Sequence, residues 1–131
     1  MMKQIQVILF SAVLILTLGL TGCRSAPVYN VEQAPVVVSD QASLKDVEKA
    51  IMAAGAGLGW QMKESAPGII TGTLFLRKHM AKVQIPYSKT EYSIRYEDSY
   101  ELGYDGTNIH NNYNGWIQNL DRAIRASLSV L

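Results

Sequence analysis

Cysteine is nearly missing from this chain: Cys23 is the only one in 131 residues. A lone thiol excludes an internal disulfide and a thiolate metal cage, because either needs a second sulfur from the same chain. Charge of one sign is missing too. The chain carries 12 Lys plus Arg against 11 Asp plus Glu, with no basic run and no acidic tail. That balance argues against nucleic acid as a partner, since duplex binding draws much of its free energy from Lys and Arg displacing phosphate counterions. Histidine is scarce, with His79 and His110 alone, and neither sits in a ligand spacing such as His-x-x-x-His. No metal and no cofactor is expected. A single domain is expected from the length, because one domain takes roughly 100 to 200 residues.

Long hydrophobic stretches are limited to one. Residues 7–20 are almost unbroken apolar, preceded by a short segment with Lys3 and closed by Leu20-Thr21-Gly22-Cys23. These 14 residues are too few for a membrane-spanning helix, which needs about 20. A basic start, an apolar run and small residues at a cut site make up a signal peptide instead.

Leu20-Thr21-Gly22-Cys23 resembles the lipobox of bacterial lipoproteins: a branched apolar residue, two small residues that fit a peptidase, then the cysteine. The resemblance implies that residues 1–22 are cleaved, that Cys23 is joined to diacylglycerol, and that in many Gram-negative bacteria a further acyl chain, palmitate, caps the new amino terminus. One acyl chain binds a membrane only marginally, at about 0.8 kcal/mol per buried CH₂, so two or three chains on one residue give lasting attachment. An Asp after the lipidated cysteine tends to retain such proteins at the inner membrane of enteric bacteria. Here that position is Arg24, which implies the outer membrane and the periplasmic side. Loss of Lys3 leaves 11 cationic against 11 anionic side chains, a formally neutral mature protein.

Residues 23–42 hold Pro27, Pro35 and several small polar residues without helical period, and read as the lipidated cysteine with a flexible tether. Pro35-Val36-Val37-Val38-Ser39 is the open question, since its β-branched run equally suits a short edge strand. The globular domain is expected over 43–131. Ser43-Leu44-Lys45-Asp46 supplies a capping box. From there Leu44, Val47, Ile51, Ala54 and Leu58 share one helical face, Lys45, Glu48 and Lys49 face water, and Gly55, Gly57 and Gly59 end the helix. Four runs of period two follow: Trp60 and Met62; Ile70, Leu74 and Leu76; Ala81, Val83, Ile85 and Tyr87; Tyr92, Ile94 and Tyr96. Their short connections predict antiparallel hairpins. Asn111 or Asn112 then caps a last helix with Tyr113, Trp116, Ile117, Leu120, Ile124, Leu128 and Leu131 on its apolar face. The predicted fold class is α+β, a two-layer sandwich of a four-stranded antiparallel sheet with both helices on one face and a polar face opposite.

Catalysis needs a nucleophile, an acid–base pair or a metal, each with partners in reach. His79 reads as a solvated turn residue and His110 as a helix-entry hydrogen bond. Glu97, Asp98 and Glu101 form an acidic cluster with nothing apolar beside them to raise a pKa, and there is no Gly-x-Ser-x-Gly elbow. The protein is therefore expected not to be an enzyme. Tyrosine is what the chain has in quantity, with Tyr87, Tyr92, Tyr96, Tyr100 and Tyr104 inside eighteen residues. By parity with Val83, Ile85 and Ile94, the first three belong on the helix-facing side. Tyr100 and Tyr104, with Trp60, are the candidate binding residues near the sheet's end, because aromatic anchors dominate binding hot spots.

Ile85-Pro86-Tyr87-Ser88, Tyr92-Ser93-Ile94-Arg95-Tyr96 and Ile109-His110-Asn111-Asn112-Tyr113-Asn114-Gly115-Trp116 resemble a group of small uncharacterised lipoproteins of Gram-negative bacteria, over residues 60–124. The resemblance implies a cell-envelope location and no particular chemistry. Two functional classes remain. The first is a non-enzymatic envelope module, held on the membrane by lipid on Cys23 and contacting an envelope protein or peptidoglycan. The second is a small-ligand carrier or hydrolase with a cleft between sheet and helices.

Overall fold

The computed structural model describes residues 24–131; Cys23 and the segment expected as a signal peptide lie outside the described residues. Nine elements follow one another among the described residues. They are β1 (Ser25–Pro27), β2 (Val31–Pro35), α1 (Leu44–Gly57), β3 (Gln61–Ala66), β4 (Ile69–Leu76), β5 (His79–Pro86), β6 (Glu91–Tyr100), β7 (Asn108–His110) and α2 (Asn111–Leu128). The class is α+β as expected, but the main sheet has five antiparallel strands, not four, in the order β2-β6-β5-β4-β3, and β1 with β7 forms a second, two-stranded sheet.

The extra strands come from the segment expected as a tether. Ser25 pairs with His110 and Pro27 with Asn108, while Val31 and Ala34 pair with Ile94 and Tyr92. Val36 N–H donates to Thr90 and Ser39 N–H to Leu131, so the chain is tied down as far as the first helix. The edge strand thus precedes the Val36-Val37-Val38 run rather than using it. Strand β2 carries no alternation because it is irregular. Gln33 adopts φ 50°, the register slips between Val31 and Ala34, and the freed Gln33 N–H is satisfied by the buried Ser93 hydroxyl at 2.9 Å. A bulge of this kind also blunts an exposed edge.

Ser43 caps α1 as its sequence predicts: its hydroxyl accepts from Asp46 N–H at 3.1 Å and Asp46 accepts from Ser43 N–H at 2.9 Å. Val47, Ile51 and Ala54 are buried, whereas Leu44 and Leu58, at the two ends of the helix, stay exposed. Glu48, expected in water, is buried instead. Gly55 is not a stop signal but a contact point inside the helix. A Cβ there would come 2.4 Å from Met62 Sδ, and one on Gly72 would come 3.1 Å from the same sulfur and 3.4 Å from Trp60 Cε3. Two missing side chains, one on the helix and one on the sheet, make room for Met62 and the indole of Trp60.

Helix α2 is capped by His110, not by Asn111 or Asn112. The His110 Nδ1 accepts from Asn112 N–H at 3.1 Å. Tyr113, Ile117, Leu120, Ile124 and Leu128 are buried, and they join the buried residues of α1 and of the sheet's inner face in one core. Ala81, Val83, Ile85 and Tyr87 are all buried on that face as their parity predicts, but Leu76, at the hairpin end of β4, is exposed.

The aromatic end of the sheet as a candidate functional site

The parity of β6 does not run unbroken. Lys82 pairs with Asp98 and Val83 with Tyr96, so Glu97 is one residue too many and forms a bulge. Because side chains alternate along a strand, one inserted residue moves all that follow to the other face. Tyr92 and Ile94 are buried against the helices and Tyr96 is half-buried; beyond the bulge Ser99 pairs with the buried Ala81, and Tyr100 points to the outer face at 62% exposure.

Outward-facing residues line up in rows across the strands. Lys63, Thr71, Gln84 and Arg95 form one, and Gln61, Thr73, Lys82 and Asp98 the next. Both are polar, as expected of that face, and an open groove of about 400 Å³ runs between Gln61, Lys63, Ser65, Thr71, Thr73 and Lys82. The last row breaks the pattern: Phe75, Met80 and Tyr100 are paired across β4, β5 and β6, and Phe75 matches Tyr100 in exposure at 62%. The β4–β5 turn that closes this end carries Arg77 (φ 55°) and Lys78, with Lys78 Nζ 3.9 Å from Glu101.

Behind the row the aromatic rings continue inward. Tyr104, 42% exposed, lies against Tyr96 with ring centroids 4.1 Å apart, and Tyr96 meets Tyr113 edge-on at 5.6 Å. The Tyr96 hydroxyl shares a 2.7 Å hydrogen bond with Ser99 Oγ. The Tyr113 hydroxyl is buried and has no partner among the described residues. Burial pushes the Tyr113 phenol well above its ordinary value, with smaller contributions from Tyr96 and Tyr104. His79 belongs to the same end. It is not a free turn residue, since its Nδ1 lies 2.7 Å from the Glu101 carbonyl and its ring 6.4 Å from that of Trp116.

Of the three predicted binding residues, two are exposed here and one is not. Tyr100 stands on the outer face and Tyr104 on the inner aromatic cluster. Trp60 is buried at 4% exposure, packed over Gly72. The register that pairs Gln61 with Thr73 and Leu74 with Ala81 sets Trp60 three strands from Ser99, about 14 Å away at ~4.8 Å per strand. Trp60 is therefore a core residue, and exposed Phe75 and half-buried Met80 take its place beside Tyr100 on the outer face. Nothing in their local sequence marks them, because only the pairing of β4 with β5 and the bulge in β6 bring them beside Tyr100.

The opposite end of the sheet holds polar pairs that parity does not disclose. Tyr87 OH donates to the buried Glu48 carboxylate at 3.1 Å, which also accepts from Lys45 Nζ at 3.2 Å. Desolvation raises the Glu48 carboxyl, but the hydrogen bonds from Lys45 and Tyr87 outweigh it and hold the group below its ordinary value. Burial, with Glu48 beside it, pushes the Tyr87 phenol up to about 12. Tyr92 OH donates in the same way to Asp121, whose other oxygen accepts from Arg125 at 3.1 Å. Each carboxylate already has a cation and a phenol, an arrangement that locks helices to sheet and offers no base to a substrate. Glu97, Asp98 and Glu101 are exposed. Glu97 accepts from Gln84, Asp98 from Ser99 N–H, and Glu101 pairs with Lys78.

Between the layers Val47, Ile51, Ile70, Ile85, Ile94, Ile117, Leu120 and Ile124 are fully buried. The described cavities open elsewhere: on the outer face, beside Gln33 and Arg95 at the β2–β6 edge, and between the helix ends near Lys49 and Val130. Among the described residues no group of three His, Cys, Asp or Glu side chains is placed to hold a metal ion, and no helix is long and apolar enough to cross a membrane. Comparison with family models, with curated proteins and with solved structures found no match for this chain, so its function must be read from its own residues.

Proposed function

We propose that this protein is a lipid-anchored lipoprotein of the bacterial cell envelope, held through Cys23 on the periplasmic side of the outer membrane, and that its domain is a non-enzymatic binding or structural module. The observation that carries the reading is the lipobox Leu20-Thr21-Gly22-Cys23 standing immediately ahead of the fold. The thiol has no other employment in this sequence. It has no second cysteine to pair with, and a glyceride thioether needs only one. Arg24 in the position after Cys23 supports the outer rather than the inner membrane.

The module's contact surface for an envelope protein or peptidoglycan is the open groove of the outer face, where Lys63 and Lys82 flank Thr71 and Thr73. Hydroxyls, an amide and two ammonium groups suit a polar, hydrogen-bonding partner such as glycan or a carboxylate-bearing peptide. Growth with labelled fatty acid tests the anchor. Label is expected on the wild type and none on Cys23→Ala; an unlabelled wild type would overturn the reading. In-cell crosslinking tests the module, with Lys63→Ala/Lys82→Ala expected to lose a product that the wild type forms, and identical products would remove the groove from consideration. Arg24→Asp should move the protein to the inner-membrane fraction.

A further inference from the structure

Residue 24 is already part of the fold, and its surroundings point to an orientation on the membrane. The Arg24 carbonyl accepts from Asn111 N–H at 3.0 Å, and the preceding residue, His110, donates its N–H to the Leu102 carbonyl at 2.9 Å. Tyr100 stands two residues before Leu102 and is paired with Met80, which is paired with Phe75. Two hydrogen bonds and a few residues of chain therefore join the point where the lipidated segment leaves the domain to the exposed aromatic row. The β4–β5 turn is tied to the same end through Lys78 and Glu101, and through His79 and the Glu101 carbonyl.

A glyceride on Cys23 places that residue's sulfur at headgroup level, and the next Cα is only about 3.8 Å along the chain. No tether separates the lipid from the domain, because Ser25 is already hydrogen-bonded in β1. The end of the domain that carries Arg24 must lie toward the headgroups. Reached from Arg24 through Asn111, His110 and Leu102, that end also bears three paired apolar side chains, two of them 62% exposed, and Leu76 is exposed at the adjoining β4–β5 turn. A contiguous exposed apolar row calls for a covering surface, and aromatic and apolar side chains near a bilayer settle at its interface. The charges at this end nearly cancel: Arg24, Arg77, Lys78 and Lys82 are balanced by Glu97, Asp98, Glu101 and Asp105, with Lys78 paired to Glu101. Attraction to anionic lipid is therefore not the driving force.

We infer that the end of the domain bearing Phe75, Leu76, Met80 and Tyr100 rests in the headgroup layer of the membrane that holds the Cys23 lipid, fixing one orientation of the domain. The occupant of the patch is the bilayer surface. The inference rests on the lipid-anchor reading and goes beyond it, since a lipoprotein on a loose tether has no preferred face. Contact through this patch can be weak alone, because the anchor already confines it beside the membrane at high effective concentration. The opposite end, with Val37 and Lys89, then points away from the bilayer.

The test uses the lipidated protein in phosphatidylcholine vesicles with bromine-labelled acyl chains, after mass analysis of its amino-terminal peptide. A tryptophan is introduced by Phe75→Trp, by Tyr100→Trp or, as the distal control, by Val37→Trp, and its added emission is read against the native protein. The expected result is quenching and a blue shift at positions 75 and 100, none at 37, and the same pattern when phosphatidylglycerol or salt is added. A lipidated protein quenched at none of these positions, or at all three equally, would overturn the inference and leave the anchor standing. Quenching that requires phosphatidylglycerol would also overturn it, replacing apolar contact with charge. A protein without lipid on Cys23 would overturn both readings. Phe75→Ser/Tyr100→Ser on the lipidated protein gives an independent check: protease cleavage near the β4–β5 turn, slow in wild-type vesicles, is expected to become as fast as in detergent.

Discussion

Tyr92 and Tyr100 lie eight positions apart on one strand, share the same parity and end in opposite surroundings. Tyr92 is buried because Asp121 on α2 receives its hydroxyl and Arg125 balances that carboxylate. Tyr100 is turned outward by the bulge at Glu97 and joins exposed Phe75 and half-buried Met80 in one row on the outer face. A phenol enters a core when the core supplies a partner for its oxygen, and a strand keeps its faces only while its register holds. Tyr87 follows Tyr92 in using a helix carboxylate, Glu48. Tyr113, nearer the exposed end, is the exception: it is buried with its hydroxyl unpartnered among the described residues.

The contrast can be broken at either end. The largest effect belongs to Tyr92→Ala, which removes a fully buried ring from the centre of the core and should cost about 3–5 kcal/mol in urea unfolding. A value near that of an exposed tyrosine would mean that this end of the sheet is not packed as described. Tyr92→Phe isolates the hydroxyl and should cost about 1.5–3 kcal/mol, the range for hydrogen bonds to charged groups.

Titration sharpens the same comparison. Glu48 is held below its ordinary value of 4.5, so its contribution to stability is present above that value and is lost as the pH falls through the lower folded one. Tyr87 is shifted the other way, from 10.0 to about 12; its contribution is complete below pH 10 and is lost as the pH rises toward 12. Glu48→Gln should weaken the acid-side loss and bring the Tyr87 phenolate absorbance in at lower pH. An unchanged Tyr87 titration would contradict the pairing. The smallest effect is expected from Tyr113→Phe, because an unpartnered buried hydroxyl contributes nothing favourable. Its removal should change stability by no more than about 0.5 kcal/mol, or raise it, and a clear loss would reveal a partner such as a buried water.

Much of the fold is legible in residue order because local physics writes it there. The Ser43 and Asp46 capping box, the helical face of Tyr113, Ile117, Leu120 and Ile124, and the alternation of Ala81, Val83 and Ile85 each depend on neighbours within one or two turns or a few strand positions. Strands β1 and β2 are not legible, since three residues ending in Pro27 and five ending in Pro35 become strands only when β7 and β6 supply their hydrogen bonds. The candidate surface was half legible. Tyr100 and Tyr104 stand out by composition, but Trp60 is drawn into the core by the space over Gly72, and Phe75 and Met80 acquire meaning only from their pairing.

What the residue order determined by itself is therefore local: the α+β class, two amphipathic helices with the Ser43 cap of the first, and the four hairpin strands β3 to β6, each encoded in a short stretch of chain. The tertiary structure alone decided the fifth strand of the main sheet, the burial of Glu48, and the outward turn of Tyr100. Those outcomes depend on groups brought together from distant parts of the chain. It also decided that no slack chain stands between Arg24 and the domain, because β1 finds its partner more than eighty residues later in β7.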